Sequence, residues 1–329
     1  MNVIMIMAHQ YPYQIFRLIQ RCKTENTDVI VHLDLKAKQE DYDYLHNKIS
    51  ELYSNRGVYL MEERLAGELF NRILVDITMK MIDYVHNVEK QENKHYQYFL
   101  LCSGQDYPLK PMQAIEEELS HAYPKPFIDC TPYNKHNWMR DRFTNNTVDP
   151  VLKYLFTDRI KNSRSRIIKG ILSRLLRYVK PFILKFGQNV EQRLKKQGIF
   201  VYGGSQWWIM PDIAIEYIAG QYYSFETKKY ISLLLDETAT PDETFFQTMV
   251  MRSPVKNKVQ LNSVTERCQN NKTWSYWQDV NKPMTSHPYV IRAENFNQLL
   301  TSQAWFARKF DETIDSGILD KIDHELLNI

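Results

Sequence analysis

N-V-I-M-I-M-A-H (Asn2–His9), P-Y-Q-I-F-R-L-I-Q-R-C (Pro12–Cys22) and V-I-V-H-L-D-L-K (Val29–Lys36) form the run that decides the fold. Val3 to Met7 is a short apolar stretch with β-branched members, which predicts a buried strand. Ile15, Phe16, Leu18 and Ile19 then recur at helical spacing. Val29 to Leu33 is a second apolar, β-branched run. Strand, helix and strand over so few residues make a βαβ unit, and its crossover implies a parallel pair. An α/β fold follows, with a mostly parallel central sheet flanked by helices. Ligands of such sheets bind beyond the carboxyl ends of the strands. His9, His32 and Asp34 lie at those ends. On position alone, Asp34 is as well read as a solvent-facing turn residue as a partner for a nucleotide.

Further along, Leu65 to His86 carries Leu69, Ile73, Ile77, Met81 and Val85 at steps of four, the pattern of a long amphipathic helix. Tyr96 to Cys102 reads as a fully buried strand that runs into S-G-Q-D-Y-P-L-K (Ser103–Lys110). Asp106 there is a lone acid, and capping of the local turn before Pro108 accounts for it equally well. Phe127 to Asp129 and Ile199 to Tyr202 are shorter strands, and Gly203-Gly204-Ser205 after the latter permits close approach of the backbone. Asp41-x-Asp43 has the form of a metal-binding pair. It sits in the polar, helix-like stretch Lys38 to Leu52 and is read as a solvated helix face.

The stretch T-A-T-P-D-E-T-F-F-Q-T-M-V-M-R-S-P (Thr238–Pro254) predicts a helix with Pro241 at its first position and Thr240 as its N-cap. Phe245, Phe246, Met249 and Val250 would pin it to a core. Glu243 would then stand at the helix start over an apolar floor, a place suited to a general base. The competing reading is that Asp242 and Glu243 only complement the helix dipole. T-W-S-Y-W (Thr273–Trp277) is a strand with Trp274 and Tyr276 on one face, either against a ligand or in the core.

Length allows one large domain or two small ones. A net charge of +3 is too small to imply nucleic acid, and the 13% of aromatic residues supplies faces on which sugar rings could stack. The cysteines Cys22, Cys102, Cys130 and Cys268 show no C-x-x-C spacing, which argues against a zinc site and suits a reducing compartment. The N-terminus lacks the basic region of a signal peptide, and no apolar run is long enough for a membrane anchor. A cytoplasmic, bacterial protein is the expectation. Arg159 to Lys196 departs from the rest: twelve bases and one acid, Glu191, interleave with aliphatic residues. This basic amphipathic segment is read as a peripheral contact with the inner face of a membrane, an acceptor lid, or a core-packed helix.

L-L-C-S-G-Q-D-Y-P-L-K (Leu100–Lys110), G-G-S-Q-W-W (Gly203–Trp208), the P-D-E run and F-A-R-K-F-D (Phe306–Asp311) occur in this order. Together they resemble the family of core-2/I-branching β-1,6-N-acetylglucosaminyltransferases and peptide O-xylosyltransferases, from about Asn2 to about Asp311. The resemblance implies a GT-A type glycosyltransferase fold in one catalytic domain over 1–329. A nucleotide-sugar half would occupy about 1–125, and an acceptor and catalytic half about 126–329 with the basic insertion at 159–196. It implies an inverting transfer of GlcNAc or xylose from a UDP-sugar to a glycan hydroxyl, with no metal or other cofactor, in the synthesis of surface polysaccharide. Glu243 would be the base. His9, Asp34 and Asp106 would contact the donor, and Arg292, Arg308 and Lys309 its diphosphate. Asp129, Arg140, Gly204, Ser205, Trp207, Trp274 and Tyr276 would meet the acceptor. F-A-R-K-F-D leans toward the xylosyltransferase branch. Two rivals remain from the sequence: a non-catalytic glycan- or nucleotide-binding protein on the same fold, and a membrane-associated scaffold built on the basic segment.

Overall fold

A computed structural model describes residues 1–54, 56–68, 71–133, 190–238, 240–262, 270–277 and 288–329. Arg140, Cys268 and the basic segment up to residue 189 lie outside the described residues.

The opening run folds as β1 (Asn2–Ala8), α1 (Pro12–Cys22) and β2 (Thr27–Leu33), with β1 and β2 paired in parallel from Asn2–Thr27 to Ala8–Leu33. Pro12 starts α1, where its fixed φ suits a first turn and its missing N–H leaves no gap. Next come α2 (Gln39–Tyr53), β3 (Val58–Leu60), α3 (Ile73–Glu92), β4 (Tyr98–Ser103), β5 (Asp106–Pro108), α4 (Met112–Ala122), β6 (Phe127–Ile128) and β7 (Thr131–Pro132). After the gap in the described residues follow α5 (Val190–Lys195), β8 (Tyr202–Gly203), β9 (Trp208–Pro211), α6 (Asp212–Tyr223), α7 (Lys228–Asp236), α8 (Phe245–Val250), β10 (Thr273–Ser275), α9 (Phe296–Leu300), β11 (Phe306–Arg308) and α10 (Gly317–Ile322).

Six strands form the central sheet in the order β3-β2-β1-β4-β9-β6. The first four run parallel; β9 is antiparallel to both β4 and β6. Alternate residues of β1 face opposite layers, as the pleat requires. Val3 and Met5 join the core formed with α3, α6, α7 and α8, while Ile4 and Ile6 join the core formed with α1, α2, α4 and the C-terminal helix. The mixed α/β architecture with a mostly parallel sheet is the predicted one.

Three local expectations need correction. The helix expected over Leu65 to His86 runs instead from Ile73 to Glu92, because the chain before it is held in a loop. Leu65 donates its N–H to the buried His32 Nε2 at 3.0 Å, and Gly67 donates to Asp34 Oδ2 at 2.7 Å. The helix expected from Pro241 is split into a 3₁₀ turn at Pro241–Glu243 and the α-helix α8. Thr240 does not cap it with its side chain. The Thr244 hydroxyl bonds back to the carbonyls of Thr240 and Pro241, which favours the tighter turn. The apolar half of that expectation holds: Phe245, Phe246, Met249 and Val250 are at most 1% exposed. Asp41 and Asp43 lie on α2, with Asp43 exposed and bonded to Gln39 one turn earlier.

Candidate active site

Several of the motifs singled out in the sequence meet one edge of the central sheet, and the strand directions explain why. His9 follows β1, Asp34 follows β2 and Ser103-Gly104-Gln105-Asp106 follows β4, so all three leave the carboxyl ends of parallel strands. The reversed direction of β9 brings its beginning to the same edge: Trp208 pairs with Leu101 near the end of β4. Gly203 to Trp207 therefore enters the crevice from the opposite side. β6 runs the same way as β4, and Asp129 follows it.

The S-G-Q-D turn and the distant F-A-R-K-F-D motif are built into one block. β5 pairs antiparallel with β11, which sets Asp106 opposite Arg308. The Gln105 backbone and side chain both bond Phe310, at 2.9 and 3.1 Å. Gln14 of α1, fully buried, donates to the Gly104 and Phe310 carbonyls and accepts from the Glu312 N–H at 2.9 Å. Tyr11 donates to Asp311 at 2.6 Å. Ile291 donates to the Lys309 carbonyl at 2.9 Å, which places Arg292 beside the same strand end. Two basic motifs, seventeen residues apart from Arg292 to Lys309, are thus neighbours.

Asp106 is buried, and its Oδ2 accepts the Ser103 N–H at 2.9 Å. Arg308 Nε stands 3.3 Å from its Oδ1. Burial pushes the Asp106 carboxyl up to about 6, against the opposing pull of Arg308 and the Ser103 N–H. The Arg308 guanidinium also lies 4.5 Å from the centre of the Trp207 ring. Trp207, expected against an acceptor sugar, is 8% exposed and forms a floor for Arg308. Lys309 has its pKa lowered by burial and then by Arg308, with Asp311 opposing. His9 is lowered by lost hydration and by Lys309, while Asp34 raises it. His9, Asp34 and Lys309 therefore share one electrostatic neighbourhood. Desolvated, closely set cations of this kind form a ready site for a diphosphate.

Asp34 accepts from two backbone donors, Lys36 N–H on Oδ1 and Gly67 N–H on Oδ2, both at 2.7 Å. Each oxygen keeps the capacity to accept a further hydrogen bond. The buried His32 ring, which sequence reasoning left without a role, holds the same loop at Leu65. Gln14 is the residue missed, since a polar residue within an apolar period shows its partner only in three dimensions.

On the other wall, Gly204 passes close under Asp129. A Cβ at Gly204 would lie 1.8 Å from the Asp129 carbonyl oxygen, so glycine is required there. Its N–H bonds the Glu243 carbonyl at 2.9 Å, which fixes the P-D-E turn to the G-G-S motif. Gln247 of α8 reaches the Ser205 carbonyl at 2.6 Å. Asp129 is buried, and its Oδ1 accepts from Asn262 and from the Asn270 N–H at 2.8 and 3.0 Å. Glu243 is half-buried, and Phe245 and Phe246, which follow it in the chain, are buried in the core. Trp274 and Tyr276 stack with ring centres 6.0 Å apart and planes 8° apart, on the same side of β10. That strand continues the sheet of β11, with Ser275 opposite Arg308. Among the described residues no group of three His, Cys, Asp or Glu side chains is placed to hold a metal.

The family model described as Core-2/I-Branching enzyme matches residues 5–300. Among curated proteins, xylosyltransferase 2 of Canis lupus familiaris is 22% identical over 327 residues. The match covers 95% of this chain and 32% of that protein, so the chain spans about a third of the relative's length.

Proposed function

The chain belongs to the Core-2/I-branching enzyme family of glycosyltransferases, and on that premise we propose that it moves GlcNAc or xylose from a UDP-sugar to a glycan hydroxyl, with inversion and without a metal. The observation that carries this reading is the block in which Arg308 and Lys309 stand over the S-G-Q-D turn, at the carboxyl edge of β1, β2 and β4. In this reading His9 and Asp34 line the nucleoside end of the donor. Arg292, Arg308 and Lys309 hold the diphosphate, and Asp106 with Trp207 keeps the Arg308 guanidinium in place. The acceptor enters from the side of Asp129, Gly204, Ser205, Trp274 and Tyr276. Glu243 takes the proton of the acceptor hydroxyl as its oxygen bonds the anomeric carbon and the bond to UDP breaks. Negative charge gathers on the departing diphosphate, and fixed cations already facing it stabilise that charge without reorganising.

Residues up to about 125 then hold the nucleoside end of the donor, and the later residues the acceptor, the base and the cations of the diphosphate. The product fits cytoplasmic synthesis of a surface polysaccharide. Among the described helices none is long and apolar enough to cross a membrane.

UDP release in the presence of UDP-xylose and of UDP-GlcNAc, with a panel of oligosaccharide acceptors, tests the proposal. Glu243→Gln should lower turnover by about 10²- to 10⁴-fold, the usual loss on removing a general base, with UDP affinity unchanged. A variant retaining more than half the turnover would remove Glu243 from the role.

A further inference from the structure

A cavity of about 270 Å³ is lined by Gly198, Phe200, Tyr202, Met251, Arg252 and Lys256. Its composition is unusual in three respects. Phe200 is 64% exposed, a large aromatic face with little to cover it among the described residues. Arg252 and Lys256 supply two cations, and the lining contains no acid. The Arg252 Nε is buried and, among the described residues, has no acceptor. The rest of that side chain is fixed: one terminal nitrogen donates to the Gly198 carbonyl at 3.3 Å, and the guanidinium lies 5.5 Å from the Tyr230 ring centre. The guanidinium is thereby held in place at the cavity, whose lining offers no acid to balance its charge.

The cavity is joined to the catalytic wall by one strand and one helix. Tyr202 of β8 lines it, and Gly204, two residues on, bonds the Glu243 carbonyl. The Tyr202 backbone N–H and carbonyl both bond the Thr248 hydroxyl of α8, at 3.1 and 3.2 Å. Two residues of extended chain span about 7 Å.

We propose that this cavity is a subsite for an anionic sugar of the acceptor glycan, one or two units from the hydroxyl that reacts. Phe200 and Tyr202 take the apolar ring face, and Arg252 with Lys256 takes the carboxylate. The site's size fits a single ring. The inference rests on the glycosyltransferase reading for its link to transfer, while the binding itself is measured apart from it.

The test is titration of the full chain with methyl β-D-glucuronide and methyl β-D-glucoside, followed by NMR or calorimetry. Wild-type protein should bind the glucuronide in the millimolar range and at least about tenfold more tightly than the glucoside, the ratio expected of one charge-assisted hydrogen bond. Arg252→Met and Phe200→Ala should each lose most of that affinity, with melting temperature and UDP affinity unchanged. In transfer assays the same variants should raise KM for uronic-acid-bearing acceptors and leave kcat alone. Equal affinity for the two glycosides would overturn the proposal. So would equal binding of inorganic phosphate, which would mark a free-anion site, or tighter binding of an acetylated Asp-Asp dipeptide. Loss of UDP binding in the wild-type protein, with Arg252-dependent glucuronide binding intact, would instead sink the donor assignment and leave the subsite standing.

Discussion

In the proposed donor block the Lys309 ammonium is partly desolvated, and Arg308 lowers its pKa further while Asp311 opposes. Lys309→Ala should weaken UDP binding by about 10- to 100-fold, the range for a hydrogen bond to a charged group, and should lower turnover as well. Calorimetry with UDP checks the first part, and near-normal affinity would move the diphosphate elsewhere. Two buried groups make the stability of the fold depend on pH in opposite directions. Burial lowers His32 to about 4, so the unfolded chain binds a proton that the folded one refuses as pH falls from about 6.5 to 4. His32 therefore adds stability above that window and loses it on acidification. Asp106, pushed up to about 6, keeps its proton in the folded state where the unfolded chain has released it. Its contribution grows as pH falls through the same window. His32→Phe should flatten the acid-side fall in urea-denaturation stability, and Asp106→Asn should steepen it, each by up to about 1.4 kcal/mol per pH unit. Shifts of the opposite sign would refute the assigned protonation states.

At the scale of elements, the short strand β8 and the turn behind it hold the two walls of the crevice together. Gly204 touches the Asp129 carbonyl on one side and the Glu243 carbonyl on the other. Gly204→Ala would force backbone against backbone, with no flexible side chain able to yield. A loss of stability of about 1–3 kcal/mol or more is expected, together with loss of turnover, because Glu243 would shift with the strand. Thermal melting and UDP release measure the two effects, and a variant with wild-type values in both would show that the close approach is not maintained in solution. The P-D-E stretch teaches a related lesson. Its apolar period predicted the buried side of α8, and the structure agrees, yet the turn before the helix is 3₁₀. Periodicity reports which face is buried. It does not report how Thr244 bonds the preceding carbonyls.

For the whole molecule, the donor block has a consequence for metals. In the proposed donor block Arg308 and Lys309, with Arg292 on the adjoining segment, would supply the charge that a divalent ion would otherwise bring. Transfer should proceed at full rate in excess EDTA, and strict dependence on Mn²⁺ or Mg²⁺ would reopen the assignment with Asp106 as a ligand. Much of this architecture was legible along the chain. β1, α1 and β2 follow from periodicity, because the alternation of one strand and the stripe of one helix are local properties. The crevice edge follows from the parallel direction that the βαβ unit imposes. The resemblance then marked the motifs, and their order, without saying how they meet. That meeting depends on pairings across long stretches of sequence: β5 with β11, Gln14 with Phe310, Gly204 with Glu243, the Arg308 guanidinium over Trp207. The same holds for Trp207, whose ring carries the Arg308 guanidinium. What the sequence by itself determined is therefore the opening strand–helix–strand unit, its buried faces and the parallel direction of its strands. Only the tertiary structure decided which distant side chains share the crevice edge, because contacts between residues hundreds of positions apart leave no period in the chain.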